Sequence, residues 1–271
     1  MLTEDSYGRN KRLNFALQAV RESGAKTVLD VGCGTGAGLT CALGEAAPGA
    51  QIVGVDSDRR SIEQAAANSH PANIAFVLEA ALAPDRRFRL VLATEVLEHV
   101  DDPIGFLMGL VARTEAGGRI VLTVPNGYGP FEACSLFEVL LNLSGLQRIL
   151  RGIKRTFIPV NREMVEDTLA VSPHVNFFTL GEVLRLFAAA GLNVKQFRPN
   201  TFLCGYGLDT LIRSGAAVAW NARIADRLPT WCASDWMFVL APESAPQPIV
   251  WRRSVWADFR RKLNLRRWNL C

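Results

Sequence analysis

The stretch Thr27-Val28-Leu29-Asp30-Val31-Gly32-Cys33-Gly34-Thr35-Gly36 decides the fold. Its first half is a short run rich in Val and Leu, apolar on both parities. That pattern suits a strand covered on both faces, as in a parallel sheet. Its second half places glycines at 32, 34 and 36, where the chain must turn tightly and let its backbone approach a ligand. In open α/β sheets ligands sit beyond the carboxyl ends of the strands. A second run ends at Val55-Asp56, about 20 residues past the glycines, which suits a carboxylate that accepts from ribose hydroxyls.

Similar runs recur along the chain. Gln51–Val55, Ile74–Leu78, Leu90–Thr94 and Arg119–Val124 read as further strands, and Trp236–Leu240 as the last one. Amphipathic stretches lie between them. Leu13, Leu17 and Val20 share a helical face before the first strand. Asp102-Pro103 reads as an N-cap with proline at the first helical position. Thr179 and Glu182 fit a capping box; Leu180, Val183, Leu184 and Phe187 follow at helical spacing, and Gly191 is a stop. Repeated β-α units predict an α/β, doubly wound Rossmann-like seven-stranded sheet with helical insertions.

Composition narrows the classes. With 49% apolar and 21% charged residues over 271 positions, the chain is globular and long enough for a sizeable core. The longest uncharged run, 31–44, is glycine-rich and too short to span a membrane. An acidic and polar start, with no apolar leader segment, points to a cytoplasmic location. The six cysteines contain no C-x-x-C pair and read as free thiols in a reducing compartment. The net charge of +4 is uneven. Residues 251–268 carry seven cations and one acid, a local charge of +6, which leaves the rest near −2.

The glycine loop alone leaves two ligands open, since Gly32-x-Gly34-x-x-Ala37 also fits a dinucleotide fingerprint. Asp30 favours a cationic ligand, and S-adenosylmethionine carries an ammonium and a sulfonium. Here the chain resembles class I S-adenosylmethionine-dependent methyltransferases, in particular the ubiquinone-pathway O-methyltransferase group. The likeness rests on Val28–Gly36, on Asp56, on Glu95-Val96-Leu97-Glu98-His99-Val100 with Asp102-Pro103, on Gly117–Ile120, on Val124-Pro125-Asn126 and on the H-x-N-F-F-T-x-x-E-V stretch at 174–183. It covers roughly residues 10–198 and the last strand. Arg89 stands where the family often has Asp, and the acid beside the adenine is Glu79 or Asp85. The resemblance implies that Asp30, Gly32, Cys33, Gly34, Thr35 and Gly36 cradle the methionine part. It assigns Asp56 and Ser57 to the ribose side, Glu79 and Ala80 to the adenine, and Thr94 and Glu95 to the closing wall.

Glu95, Glu98 and His99 stand at i, i+3 and i+4, so a helical turn opened by Glu95 projects them from one face. His174 precedes the helix expected at 179–190, near the same sheet edge. Two chemical readings stay open beside a purely structural one. His99 is a general base for the methyl acceptor, with Glu98 beside it. Alternatively Glu95, Glu98, His99 and His174 hold a divalent ion such as Mg²⁺, as the resemblance to ubiquinone-pathway and plant small-RNA 2′-O-methyltransferases implies.

The domain is expected over 1–241, with insertions at 127–172 and 199–232, followed by a linker and basic tail at 242–271. The apolar side chains Leu136, Phe137, Leu140, Leu141, Leu143, Leu146, Ile149 and Leu150 of the first insertion suit a lid over an acceptor pocket. The second insertion would wall its other side. In the tail, Trp251, Val255, Phe259 and Leu263 recur every four residues among cations. That suits a helix on an anionic membrane surface on the inner face, a phosphate-binding arm for RNA, or a helix docked on the domain. The reading is O-methylation of a small, lipid-linked, phenolic or glycan acceptor. RNA 2′-O-methylation and a non-catalytic, partner-binding subunit are its alternatives.

Overall fold

The structure is a computed structural model that describes residues 5, 7–144, 168–204, 212, 214–268 and 270. Leu146, Ile149 and Leu150 of the expected lid lie outside the described residues.

The strands are β1 (Thr27–Val31), β2 (Gln51–Asp56), β3 (Ile74–Leu78), β4 (Phe88–Thr94), β5 (Thr114–Pro125), β6 (Leu192–Pro199) and β7 (Asp235–Pro242). They form one seven-stranded sheet in the order β3-β2-β1-β4-β5-β7-β6. β1 to β5 pair in parallel. β7 runs antiparallel between β5 and β6. The winding reverses between β1 and β4, so the loops after these two strands diverge and leave a crevice.

β6 has no counterpart among the expected strands. Its outer edge is solvent-facing and most of its residues are exposed or half-buried, so it lacks the double-sided apolar run that marks β1 and β4. β7 gains that burial from both of its neighbours.

Alternating side chains feed two cores, one per sheet face. Leu29, Val31, Val53, Val55, Ile120 and Phe238 pack with Leu107 and Leu110 of α4 (Pro103–Arg113) and Val183, Leu186 and Phe187 of the helix Leu180–Ala189. Val28, Ile52, Leu90, Val121 and Met237 pack under Leu13 and Leu17 of α1 (Arg9–Ser23) and Leu43 of α2 (Thr40–Ala46). Asp102 caps α4 through Gly105 N, with Pro103 at its first turn. Thr179 and Glu182 form the reciprocal capping box expected for the helix Leu180–Ala189. Gly191, at φ 71°, ends it. Asp58 caps α3 (Arg59–Ala67).

The remaining α-helices among the described residues are α5 (Pro130–Leu143), α6 (the capping-box helix Leu180–Ala189), α7 (Gly215–Ala225) and α8 (Val255–Arg267). Of the three readings open for the tail, the contacts match the docked helix, with α8 packed against α5. Ala257 and Arg260 are buried, while Val255, Trp256 and Phe259 are exposed. Among the described residues, no helix is long and apolar enough to cross a membrane.

Candidate functional site

The loop after β1 is shaped by three glycines at positive φ. Gly32 has φ 73°, and a Cβ there would stand 2.5 Å from Val96 Cγ2. Only glycine lets this backbone pass under the β4 loop. Gly32 N and Cys33 N both donate to Val55 O at the end of β2. Asp56 then fastens the loop: its Oδ2 accepts from Gly34 N at 2.9 Å and its Oδ1 from Asp58 N at 2.8 Å. A carboxylate has about four lone-pair positions, so two remain for ligand hydroxyls.

A groove of about 300 Å³ runs along this loop, lined among others by Gly32, Asp56, Ser57, Glu79, Glu95 and His99. Six of the expected site residues thus share one wall. Asp30 does not line it. Its carboxylate is buried and accepts from Thr40 Oγ1 at 2.7 Å, tying the loop to α2 from below. Burial, with a smaller push from Asp56, raises its pKa to about 6 against the hydrogen bond from Thr40. Cys33 and Thr35 are also buried in the loop. Cys33 Sγ faces Gly34 O. Ala80 lies exposed in a short turn after β3, and Thr94 closes β4; neither lines the groove.

Glu95 corrects the expected helical turn. It has φ 58°, alone among described non-glycine residues in that region. Thr123 holds it there. Glu95 N donates to Thr123 O and Oγ1, and Thr123 Oγ1 donates back to Glu95 Oε1 at 2.6 Å. Arg12 Nη2 stands 3.3 Å from Glu95 Oε1 and 3.4 Å from Asp235 Oδ2. The Glu95 carboxylate is therefore drawn to Arg12, away from the face that carries Glu98 and His99. It forms the wall between the groove and a second cavity of about 260 Å³, lined by residues including Tyr7, Arg12, Pro125, Phe131, Cys204 and Asp235. Cys204 brings the second insertion to that cavity, and Phe131 brings the first.

Glu98, His99 and His174 do meet. Val175 N and Asn176 N donate to Glu98 O, and Asn176 Nδ2 donates to Leu97 O and Val100 O. These bonds lace the 174–176 strap to the turn after β4. His99 Nδ1 lies 3.1 Å from Pro173 O. A carbonyl only accepts, so Nδ1 carries the hydrogen and Nε2 keeps its lone pair. His99 Nε2 faces Glu98 Oε1 at 3.7 Å, and His174 Nε2 faces the same oxygen at 4.0 Å. The three ligand atoms lie within 4.8 Å of one another.

Both Glu98 oxygens are buried with no hydrogen-bond partner among the described residues. Burial first, then repulsion from Glu95, lifts the Glu98 carboxyl well above the usual carboxylate range. Burial, then the His174 charge, lowers His99 to about 4, so it is a neutral imidazole at pH 7. Burial pulls His174 down, but the charge and hydrogen bond of Glu132, then Glu98 and Glu95, carry it up to about 9. A buried carboxylate with the Nε2 atoms of two imidazoles around it is the donor set of a divalent ion once His174 gives up its Nε2 proton.

The sequence reading missed Glu132. It lies in the first turn of α5 inside the expected lid, 1% exposed, and its Oε1 is 2.5 Å from His174 Nδ1. Nothing in its spacing marks it, because its partners are 42 and 128 residues away.

A family model described as a methyltransferase domain matches residues 7–196. A ubiquinone biosynthesis O-methyltransferase of Rhodopseudomonas palustris (strain BisB18) is 37% identical over 162 residues, which is 57% of this chain and 59% of that protein. One from Serratia proteamaculans (strain 568) is 33% identical over 121 residues, 42% of this chain and 49% of that protein. The chain thus spans about half the length of the curated relatives it matches. A Galdieria sulphuraria crystal structure named for a methyltransferase superposes with a TM-score of 0.50 at 10% identity, covering 86% of each chain. With seven-tenths of its length under that family model, and with the sheet order and glycine loop described above, this chain belongs to the methyltransferase domain family.

Proposed function

We propose that the chain transfers the methyl group of S-adenosylmethionine to an oxygen of a small phenolic or lipid-linked acceptor. One observation carries this reading: His99 lines the cofactor groove and also belongs to the Glu98–His99–His174 cluster. The acceptor oxygen attacks the methyl carbon as the sulfonium–carbon bond breaks, so the thioether product leaves and a proton must be removed. Alignment supplies much of the rate. The second cavity, with Tyr7, Phe131 and Pro125 beside Arg12, suits an aromatic acceptor entering from the far side of Glu95. The curated relatives named as O-methyltransferases support an oxygen acceptor.

The convergence of Glu98, His99 and His174 favours metal assistance, with binding of the ion displacing the proton of His174. Burial and the neighbouring His174 hold His99 well below the usual imidazole range, which makes it a weak free base for a phenol. A divalent ion held by Glu98, His99 and His174 would supply a Lewis acid that lowers the pKa of the acceptor hydroxyl. Two imidazoles and one carboxylate suit a first-row ion such as Mn²⁺ better than the oxygen-preferring Mg²⁺. Glu95 stays on Arg12 and Thr123 in this reading and borders both the groove and the second cavity where they adjoin. The test is calorimetric binding of S-adenosylhomocysteine and then of Mn²⁺ or Mg²⁺, followed by acceptor screening. Saturable product binding with no dependence of turnover on a divalent ion removes the metal; no product binding removes the reading.

The exposed face of the last segment supports peripheral contact with an anionic membrane. Val255, Trp256 and Phe259 face solvent beside the exposed Arg252, Lys262 and Arg266. The RNA arm loses support, because Arg253, Arg260, Arg261 and Arg267 pair with Asp101, Glu132 and Glu138 of the domain. Flotation with anionic vesicles, comparing the chain with a Trp256→Ser/Phe259→Ser variant, tests the contact. Equal flotation of both counts against it.

A further inference from the structure

We infer that α8 belongs to the catalytic apparatus, with Arg260 as a positioning residue that acts on His174 through Glu132. Arg260 is 5% exposed although it is a cation on the last helix. Its Nη1 donates to Gly127 O at 2.6 Å, and its Nη2 donates to Glu132 O at 3.0 Å and Glu132 Oε2 at 2.6 Å. The guanidinium also lies over the Phe177 ring, 3.9 Å from its centre. Glu132 then uses its other oxygen, Oε1, to accept from His174 Nδ1. The order along this chain of contacts is Arg260, Glu132, His174, and then Glu98 and His99.

Each link has a physical consequence. A carboxylate as buried as Glu132 needs a compensating charge, and Arg260 provides it with a planar fork. Fixed on one oxygen, Glu132 presents the other to His174 in a set direction. A hydrogen bond at Nδ1 fixes the ring and leaves Nε2 directed at Glu98. Two more residues of the same segment grip the strap. Asn264 Nδ2 donates to His174 O at 3.0 Å, and Arg253 Nε donates to Asn176 Oδ1 at 2.7 Å. The last helix therefore holds both the side chain and the backbone of His174.

The inference rests on the proposed metal cluster for one of its readouts. In the full chain, Mn²⁺ affinity is measured by titration alongside S-adenosylhomocysteine affinity, for Arg260→Met, Arg260→Lys, Glu132→Gln and the exposed control Arg266→Met. Arg260→Met and Glu132→Gln are expected to weaken Mn²⁺ by roughly 10–100-fold and to leave product binding within about twofold. Arg260→Lys, with the charge but not the fork, falls between, and Arg266→Met matches the unaltered chain. Unchanged Mn²⁺ affinity in Arg260→Met overturns the inference. If that variant does not fold, Glu132→Gln decides on the same criterion. If the unaltered chain binds no Mn²⁺, the cluster reading fails and the inference is decided by proton NMR. The His174 Nδ1–H resonance, hydrogen-bonded to Glu132, is expected far downfield and displaced in Arg260→Met; an unmoved resonance overturns it.

Discussion

Glu98 Oε1 and His99 Nε2 face each other at 3.7 Å, and neither oxygen of the buried Glu98 takes a hydrogen bond from any described residue. A group that native folds rarely leave unpaired stands here at the junction of the groove and the cluster. Glu98→Gln fixes a neutral side chain at every pH and lets an amide donate to His99 Nε2. The metal-free variant is expected to be more stable by about 1–2 kcal/mol, read by thermal unfolding in chelator. Methyl transfer is expected to fall roughly 10²–10⁴-fold. A destabilised variant would make Glu98 a structural partner instead.

Arg12 bridges Glu95 and Asp235, with Asp235 also accepting from Asn200 Nδ2. Arg12→Met leaves two acids at one wall without their cation. The expected loss is about 3 kcal/mol of stability, within the range for breaking a buried pair. Adding Asp235→Asn should recover part of it, and a double-mutant cycle in urea measures the coupling. Strict additivity of the two would show that the bridge carries no energy.

The Gly32 position tests the loop. Gly32→Ala places a Cβ 2.5 Å from Val96 Cγ2 at a φ that costs alanine about 1–2 kcal/mol. S-adenosylhomocysteine affinity should drop at least tenfold. Gly32→Ala with Val96→Ala should recover the steric part and not the backbone part.

Asp56→Ala removes the acceptor for Gly34 N and Asp58 N together. Two hydrogen bonds to a charged group are each worth about 1.5–3 kcal/mol, so loop order and product binding should both fail. Calorimetry with retained far-ultraviolet dichroism separates this from global unfolding.

Asp30 sets a pH dependence. Its folded pKa of about 6 lies above the ordinary 3.8. Between these values the folded chain binds more protons than the unfolded chain. Stability from this group is therefore present at low pH and is lost as pH rises through 6, by up to about 3 kcal/mol. Asp30→Asn keeps an acceptor for Thr40 and removes the titration. The variant should match the unaltered chain near pH 4 and exceed it at pH 8, read from urea midpoints. A lower midpoint at pH 8 would mean that the charge is paired in the fold.

Much of this molecule was legible in its residues, because the relevant physics is local. A strand covered on both faces declares itself by Val28, Leu29 and Val31. Capping declares itself by Asp102-Pro103 and by Thr179 with Glu182. The turn after β1 declares itself by glycines whose φ no other residue adopts cheaply. The sheet, the groove and the approach of Glu98 to His99 follow from these and from the family pattern.

Only the tertiary structure decided the rest. Helical spacing placed Glu95 on one face with Glu98 and His99, but its left-handed backbone and Arg12 turn its carboxylate into the wall between the two cavities. The periodicity of α8 showed which face is apolar and not which face is buried. Val255 and Phe259 point outward and Arg260 points inward, because the buried Glu132 needs a cation and no spacing in the chain reveals that need. Burial creates the requirement for a partner, and burial is a property of the packed fold.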